Sequence, residues 1–207
     1  MNKKMGMYSS IITFSAVFTF MVCMLLGLLL NNDYLNKYGS YFSSVFIAFG
    51  YVLLVCSFIS FMNEEKKSIG FAALAFSIMY ATIIIIVYFT QLTTVRITDL
   101  SEEIIDVLDY SKFGLLFNLN LLGYAFMSLS TFFLGINLDT KNKQETLLKR
   151  LLCIHGIFAV SCFVMPIIGI FNKSMVGGEI YGAIVLSFWC IYFMPICLLS
   201  YKYFKNK

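Results

Sequence analysis

Charged residues are scarce in this chain. Only 13% of its 207 residues are Asp, Glu, Lys or Arg, whereas roughly 25% are charged in an ordinary soluble domain. Hydrophobic residues make up 60%, and the mean hydropathy is +0.85. A soluble core has no room for so much apolar surface, so the composition predicts an integral membrane protein with the lipid bilayer as its main partner.

Histidine, proline and tryptophan are also scarce, with one, two and one copies. A single histidine, His155, excludes the metalloproteases that need a histidine pair, and it is predicted to pack in the core, with proton transfer as the alternative. Neither a phosphate-binding loop nor a dinucleotide fingerprint is present, and all six cysteines fall in apolar segments. We therefore expect no metal, no cofactor and no disulfide framework.

Long apolar runs are what the chain has instead. A helix needs about 20 apolar residues to cross the hydrocarbon core, and the runs are continuous, which excludes the alternating strands of a barrel. The predicted fold is an all-α bundle of six transmembrane helices in a single domain, 1–207. The predicted spans are 8–30, 40–62, 69–91, 113–136, 151–171 and 176–201.

The basic residues predict the orientation of the spans. Eleven of the 15 Lys and Arg lie at the N-terminus, at the C-terminus, or in the second and fourth connections. The other four are Lys37, Arg96, Lys112 and Lys173, and seven of the 11 acidic residues share their side. The positive-inside rule then places both termini in the cytoplasm. The net charge of +4 follows from this asymmetry and does not indicate nucleic-acid binding.

The connection after the third span is predicted to hold a short external helix. Apolar residues of segment 97–111 recur at helical spacing, with acidic residues opposite, and Asp99 with Glu102 resembles a capping box. An acidic face suits a lid over the bundle better than a lipid-binding surface. A plain solvated connector is the alternative.

Polar residues near this connection form the candidate ligand site. Gln91 and Arg96 end the third span. Arg96 is predicted to snorkel or bind lipid headgroups while pairing with Asp99; the alternative is that it forms a pocket wall with Gln91 and holds the acidic lid. Asn118 and Asn120 begin the fourth span and should face the bundle, with Tyr124 on the same face as Asn120 and Asn118 about 200° away. Tyr88 and Glu179 complete the set. The alternative is that these groups only bond helix to helix.

Two function classes follow, and a third is weaker. The first is binding or transport of a small solute or lipid-like molecule from the external face, without catalysis, either alone or as a subunit of a larger complex. The second is a membrane interaction protein, such as an immunity, assembly or regulatory subunit with a protein partner. An enzyme of lipid or envelope metabolism, using Glu179 or Asp109, is the third. Richness in Lys, Asn, Ile, Tyr and Phe favours a bacterial cytoplasmic membrane.

Overall fold

Helices make up all the regular structure of the residues that are described. The computed structural model describes residues 1–97, 99–171 and 178–207, apart from the side chains of Gly178 and Glu179. The prediction of an all-helical chain is confirmed. The α-helices are α1 (Asn2–Leu29), α2 (Ser40–Ile59), α3 (Lys67–Thr90), α4 (Glu102–Leu108), α5 (Leu115–Asn137), α6 (Lys143–His155), α7 (Ile157–Ile167) and α8 (Gly178–Lys205).

Within the described residues, six helical stretches are long and apolar enough to cross a membrane. Large apolar side chains on their outer faces are exposed, such as those of Phe89, Ile167 and Ile191, as expected where lipid is the solvent. These features indicate a polytopic membrane protein. The stretches are Asn2–Leu29, Tyr34–Ile59, Glu64–Val95, Leu115–Asn137, Lys143–Ile167 and Ile180–Lys205.

The six spans form a closed ring. Each packs on the next, from α1 through α2, α3 and α5 to the pair α6 and α7, and α8 closes the ring by packing on both α6 and α1. Gly6 lies against the ring of Phe204, where any Cβ would collide, so α1 begins where α8 ends. We call that end of the ring the terminus end and the opposite end the α4 end.

The α4 region differs from its prediction. Its α-helix covers only Glu102–Leu108, because Ser101 and Asp109 are extended and stop it on both sides. Ser101 occupies the N-cap position without a side-chain bond, so the predicted capping box of Asp99 and Glu102 is wrong. The predicted apolar face of 97–111 is also interrupted, since Ile97 and Ile104 are exposed.

A reciprocal cap that the sequence analysis missed starts α6. The Asn142 Oδ1 accepts from the backbone N–H of Glu145 at 2.9 Å, and the buried Glu145 carboxylate accepts from the backbone N–H of Lys141 at 2.7 Å. An Asn followed three residues later by Glu is a recognisable signal for a helix start. The fifth span therefore begins at Lys143 and not near residue 151.

The fifth span is broken in its middle. It divides at Gly156, where a Cβ would lie 2.9 Å from the Cβ of Phe132 on α5, so glycine permits the close approach. The Tyr192 hydroxyl on α8 donates to the Leu151 carbonyl one turn earlier, at 2.7 Å. Pro166 lies in the last turn of α7, well after this break.

Candidate functional site

A pocket of about 90 Å³ lies at the α4 end of the ring. Residues of α1, α2, α3, α5 and α8 line it, together with the turns that precede α2 and α5. The predicted ligand residues belong mainly to the third and fourth spans, and the structure adds the first span through Phe20, Met24 and Leu28. Ligand pockets usually measure about 300 Å³ or more, so a space of this size suits a group of a few atoms or one end of a larger molecule.

Three tyrosines dominate one wall of the pocket. The ring centroid of Tyr41 lies 5.2 Å from that of Tyr88 and 6.0 Å from that of Tyr110, and Tyr88 and Tyr110 are also 6.0 Å apart. Phe117 packs on Tyr110 at 5.3 Å. These distances are typical of aromatic rings in direct contact, so the wall is a continuous aromatic surface with hydroxyl groups at its edges.

The pocket carries little charge. Among its described lining residues the one basic side chain is Lys37, and none is Asp or Glu. The Lys37 ammonium lies 3.3 Å from the carboxylate of Asp33, four residues earlier. Besides the hydroxyls of the three tyrosines, the remaining polar groups belong to Asn36, Ser40 and Ser111. The lining therefore favours an uncharged ligand.

Gln91 holds in place the segment from Leu108 to Tyr110, which we call the roof of the pocket. Its Nε2 donates to the Leu108 carbonyl at 2.7 Å, and its Oε1 accepts from the backbone N–H of Tyr110 at 3.1 Å. Because Gln91 is buried, both bonds are shielded from competing solvent. Gln91 was predicted as a ligand residue, but its amide is already used to fix the segment that carries Tyr110.

Arg96 is exposed, as expected of an arginine at the interface, but among the described residues it lacks the predicted ion pair. Its side chain is exposed, and the guanidinium carbon lies 5.4 Å from the ring centroid of Tyr38 in the turn before α2. Within the described parts of the chain it forms no ion pair with Asp99. A guanidinium can bond to a ring face as well as to a carboxylate, and here it contacts the ring.

Asn120 and Tyr124 lie on the buried face of α5, as their spacing predicted. The Asn120 Nδ2 donates to the Tyr110 hydroxyl at 3.3 Å. The Asn120 Oδ1 and the Tyr124 hydroxyl have no hydrogen-bond partner among the described residues, and neither does the hydroxyl of Tyr80, whose ring lies 5.8 Å from that of Tyr124. Three buried oxygens without partners are thus gathered next to the pocket.

The prediction for Asn118 is wrong. It was expected to face the bundle, but it is exposed. Since Asn118 is about 200° around the helix from Asn120, burying one turns the other outward. It lies in the first turn of α5, near the end of the span, where an amide is within reach of the interface. Tyr181 is likewise exposed, and the side chain of Glu179 lies outside the described residues.

His155 is fully hydrogen-bonded away from the pocket. Its Nε2 accepts from the indole N–H of Trp189 at 3.0 Å, so the ring proton belongs on Nδ1, which lies 2.7 Å from the Thr131 hydroxyl. That hydroxyl donates onward to the Ser128 carbonyl at 2.9 Å. The geometry matches the predicted packing histidine, because both ring nitrogens are used in joining α5, α6 and α8.

Several site residues were missed by the sequence analysis. Tyr41, Tyr110 and Phe117 belong to aromatic-rich segments, but their convergence depends on how the turn before α5 folds back. Asp109, named as an enzyme's acid, instead accepts from the Ser111 N–H and hydroxyl, both at 2.8 Å, and so shapes that turn. An Asp two residues before a Ser is a common turn signal that could have indicated it.

The comparisons give no further guide to the site. No family model, no curated protein and no solved structure matches this chain. Within the described residues there is also no cluster of three or more His, Cys, Asp or Glu side chains able to hold a metal ion. The pocket itself is therefore the feature that bears on function.

Proposed function

We propose that this chain is a membrane protein that binds a small, uncharged or amphipathic molecule in the pocket at the α4 end, for storage, sensing or transport, without catalysis. The observation that carries the proposal is the pocket, which has an aromatic wall, a few hydroxyl and amide groups and a roof fixed by Gln91. Such a mixture of apolar surface with a few polar groups is typical of small-molecule sites.

The orientation supports access from outside the cell. We propose that the α4 end faces the exterior, because the basic residues concentrate at the terminus end and the acidic residues of α4 at the other. Cysteine introduced at the exposed Val107 should react with an impermeant maleimide on intact cells, and cysteine introduced at the exposed Gln144 should react only after permeabilisation. The reverse pattern would overturn the orientation.

Gly182 offers a direct test of the pocket. It lines the pocket, and a Cβ placed there has no neighbouring atom within 4 Å, so Gly182→Leu should reduce the space without disturbing the fold. The matched control is Val185→Leu on the exposed face of α8. Mass spectrometry of molecules that co-purify in mild detergent should find a stoichiometric compound in the wild type and the control, but not in Gly182→Leu.

The opposite result would favour the second candidate, a membrane interaction protein. Its support is that other buried polar groups join helices in pairs: the Ser130 hydroxyl donates to the Ala73 carbonyl at 2.7 Å, and the Tyr51 hydroxyl donates to the Met127 carbonyl at 3.3 Å. If all three samples carry only bulk lipid, the pocket has no tight ligand. Crosslinking from Val107→Cys should then recover a protein partner.

A further inference from the structure

Three oxygens in the interior, like the Ser187 hydroxyl on α8, differ from most of the other buried polar groups. The side chains of Asn120, Tyr124 and Tyr80 are at most 5% exposed, yet the Asn120 Oδ1 and both hydroxyls lack hydrogen-bond partners in the described part of the chain. Elsewhere in the ring, Ser130, Tyr51 and His155 complete their bonds to neighbouring helices. Unbonded polar groups in an apolar interior are energetically costly, so we expect a bound group that forms hydrogen bonds with these three oxygens.

The geometry points to an inner site, formed by Asn120, Tyr124 and Tyr80, that binds one hydroxyl group adjoining the pocket. This inference deepens the proposed function and rests on it for the source of an organic hydroxyl. The hydroxyl belongs either to the ligand held in the pocket or to water. Tyr110 forms the boundary between pocket and inner site.

The inner site is connected to the pocket. Tyr88 lines the pocket, and its hydroxyl lies near that of Tyr124 without the geometry of a hydrogen bond. The Tyr110 ring belongs to the same wall, and its hydroxyl accepts the long 3.3 Å bond from Asn120. The hydroxyls of Tyr88 and Tyr110 therefore link the pocket wall to the unpartnered oxygens.

The chemistry of the three oxygens selects a hydroxyl. The Asn120 Oδ1 only accepts hydrogen bonds, whereas the hydroxyls of Tyr124 and Tyr80 both donate and accept. One O–H group can donate to Asn120 and accept from a tyrosine, which satisfies both kinds of partner. The surrounding rings, Trp189 at 5.0 Å from Tyr124 and Tyr51 at 5.6 Å from Tyr80, supply no ionic group to balance a charged ligand.

Phenol and benzene make a suitable pair of probes, because both fit an aromatic wall and only phenol carries a hydroxyl. Trp189 is the chain's one tryptophan and touches Tyr124, so its emission reports events at the inner site. The full chain in phosphatidylcholine nanodiscs is titrated with each probe, with empty nanodiscs as reference. Calorimetry measures total binding in parallel.

We expect phenol to bind at least tenfold more tightly than benzene and to shift the Trp189 emission. Asn120→Leu and Tyr124→Phe should each remove that preference while benzene binding persists. Asn118→Leu makes the same chemical change at an exposed position and should behave as the wild type. Thermal unfolding confirms that each variant is folded, and a folded Tyr124→Phe keeps the test valid if Asn120→Leu is not.

Equal binding of the two probes leaves water as the source of the hydroxyl. Radiolytic hydroxyl-radical footprinting should then oxidise Tyr124 in the wild type and in Asn118→Leu, and at least fivefold less in Asn120→Leu. If the probes bind equally and Tyr124 is also not oxidised, the inner site is disproved. That failure differs from failure of the proposed function, in which neither probe binds and Gly182→Leu changes nothing.

Discussion

The indole N–H of Trp189 donates to the Nε2 of His155 across 3.0 Å, in the interior of the ring. This bond joins α8 to α6, and the other ring nitrogen continues to Thr131 on α5. Three spans therefore meet at one imidazole. Since both nitrogens are occupied, the sole histidine has a structural explanation and needs no role in ligand binding.

Replacing His155 tests this explanation. His155→Leu leaves the buried indole N–H unbonded and should lower the free energy of unfolding by about 1 to 3 kcal/mol. Trp189→Phe should lower the free energy of unfolding much less in the His155→Leu variant than in the wild type. The coupling energy between the two substitutions should be at least about 0.5 kcal/mol. Equilibrium unfolding of the single and double variants measures this coupling, and strictly additive losses would contradict the pairing.

Gln91 should control the roof of the pocket. Gln91→Leu removes both bonds to residues 108 and 110, leaves a buried carbonyl and N–H unpaired, and should cost about 1 to 3 kcal/mol locally. Hydrogen exchange of segment 101–112 should accelerate by tenfold or more, and any pocket ligand should be released. Gln144→Leu, at an exposed position of α6, is the control. Equal exchange in both variants would show that Gln91 does not hold this segment.

The number and type of the spans could be predicted because a bilayer imposes one length and one hydrogen-bonding rule on every crossing. The site was predicted less well. Asn120 and Tyr124 follow from helical spacing alone, and so does the outward direction of Asn118 once Asn120 is buried. The roles of Gln91 and Arg96 depend on Leu108, Tyr110 and Tyr38, distant residues whose positions no local pattern reveals.

The cap of α6 makes a third prediction. Asn142→Ala removes the acceptor for the Glu145 N–H and should lower the free energy of unfolding by about 0.5 to 2 kcal/mol. Asn63 also precedes a helical turn but makes no side-chain cap bond, so Asn63→Ala should have little effect. Thermal unfolding of the two variants in the same detergent compares them directly. Equal losses would mean that the cap of α6 contributes nothing specific.

The terminus end provides a pH-dependent contact. Lys66 donates to Asp139 and, with Lys149 and Lys207 nearby, holds the pKa of the Asp139 carboxyl below its ordinary value. A lowered folded-state pKa stabilises the folded chain above the unfolded-state value of about 3.9, and this stabilisation is lost as the pH falls through the folded-state pKa. Asp139→Asn should therefore have a flatter acid limb in unfolding measured from pH 2 to pH 7.

Lys66→Gln removes the same pair from the other side. It should flatten the acid limb as Asp139→Asn does, and the double variant should add little. The effect should be small and should weaken at high salt, because the pair is solvent-accessible. An unchanged pH profile in both single variants would show that the pair does not form in solution.

The closure of the ring by α8 against α1 sets an order on biosynthesis. Spans enter the bilayer as they leave the ribosome, so α1 can pack on α2 long before α8 exists. Ala183 and Leu186 of α8 form part of the pocket wall, and Phe204 covers Gly6. Until the sixth span inserts, the face of α1 that packs on α8 is exposed to lipid. The pocket then lacks the wall that α8 supplies. A nascent chain arrested before α8 is therefore open to insertion chaperones at the very surface that lines the pocket in the finished protein.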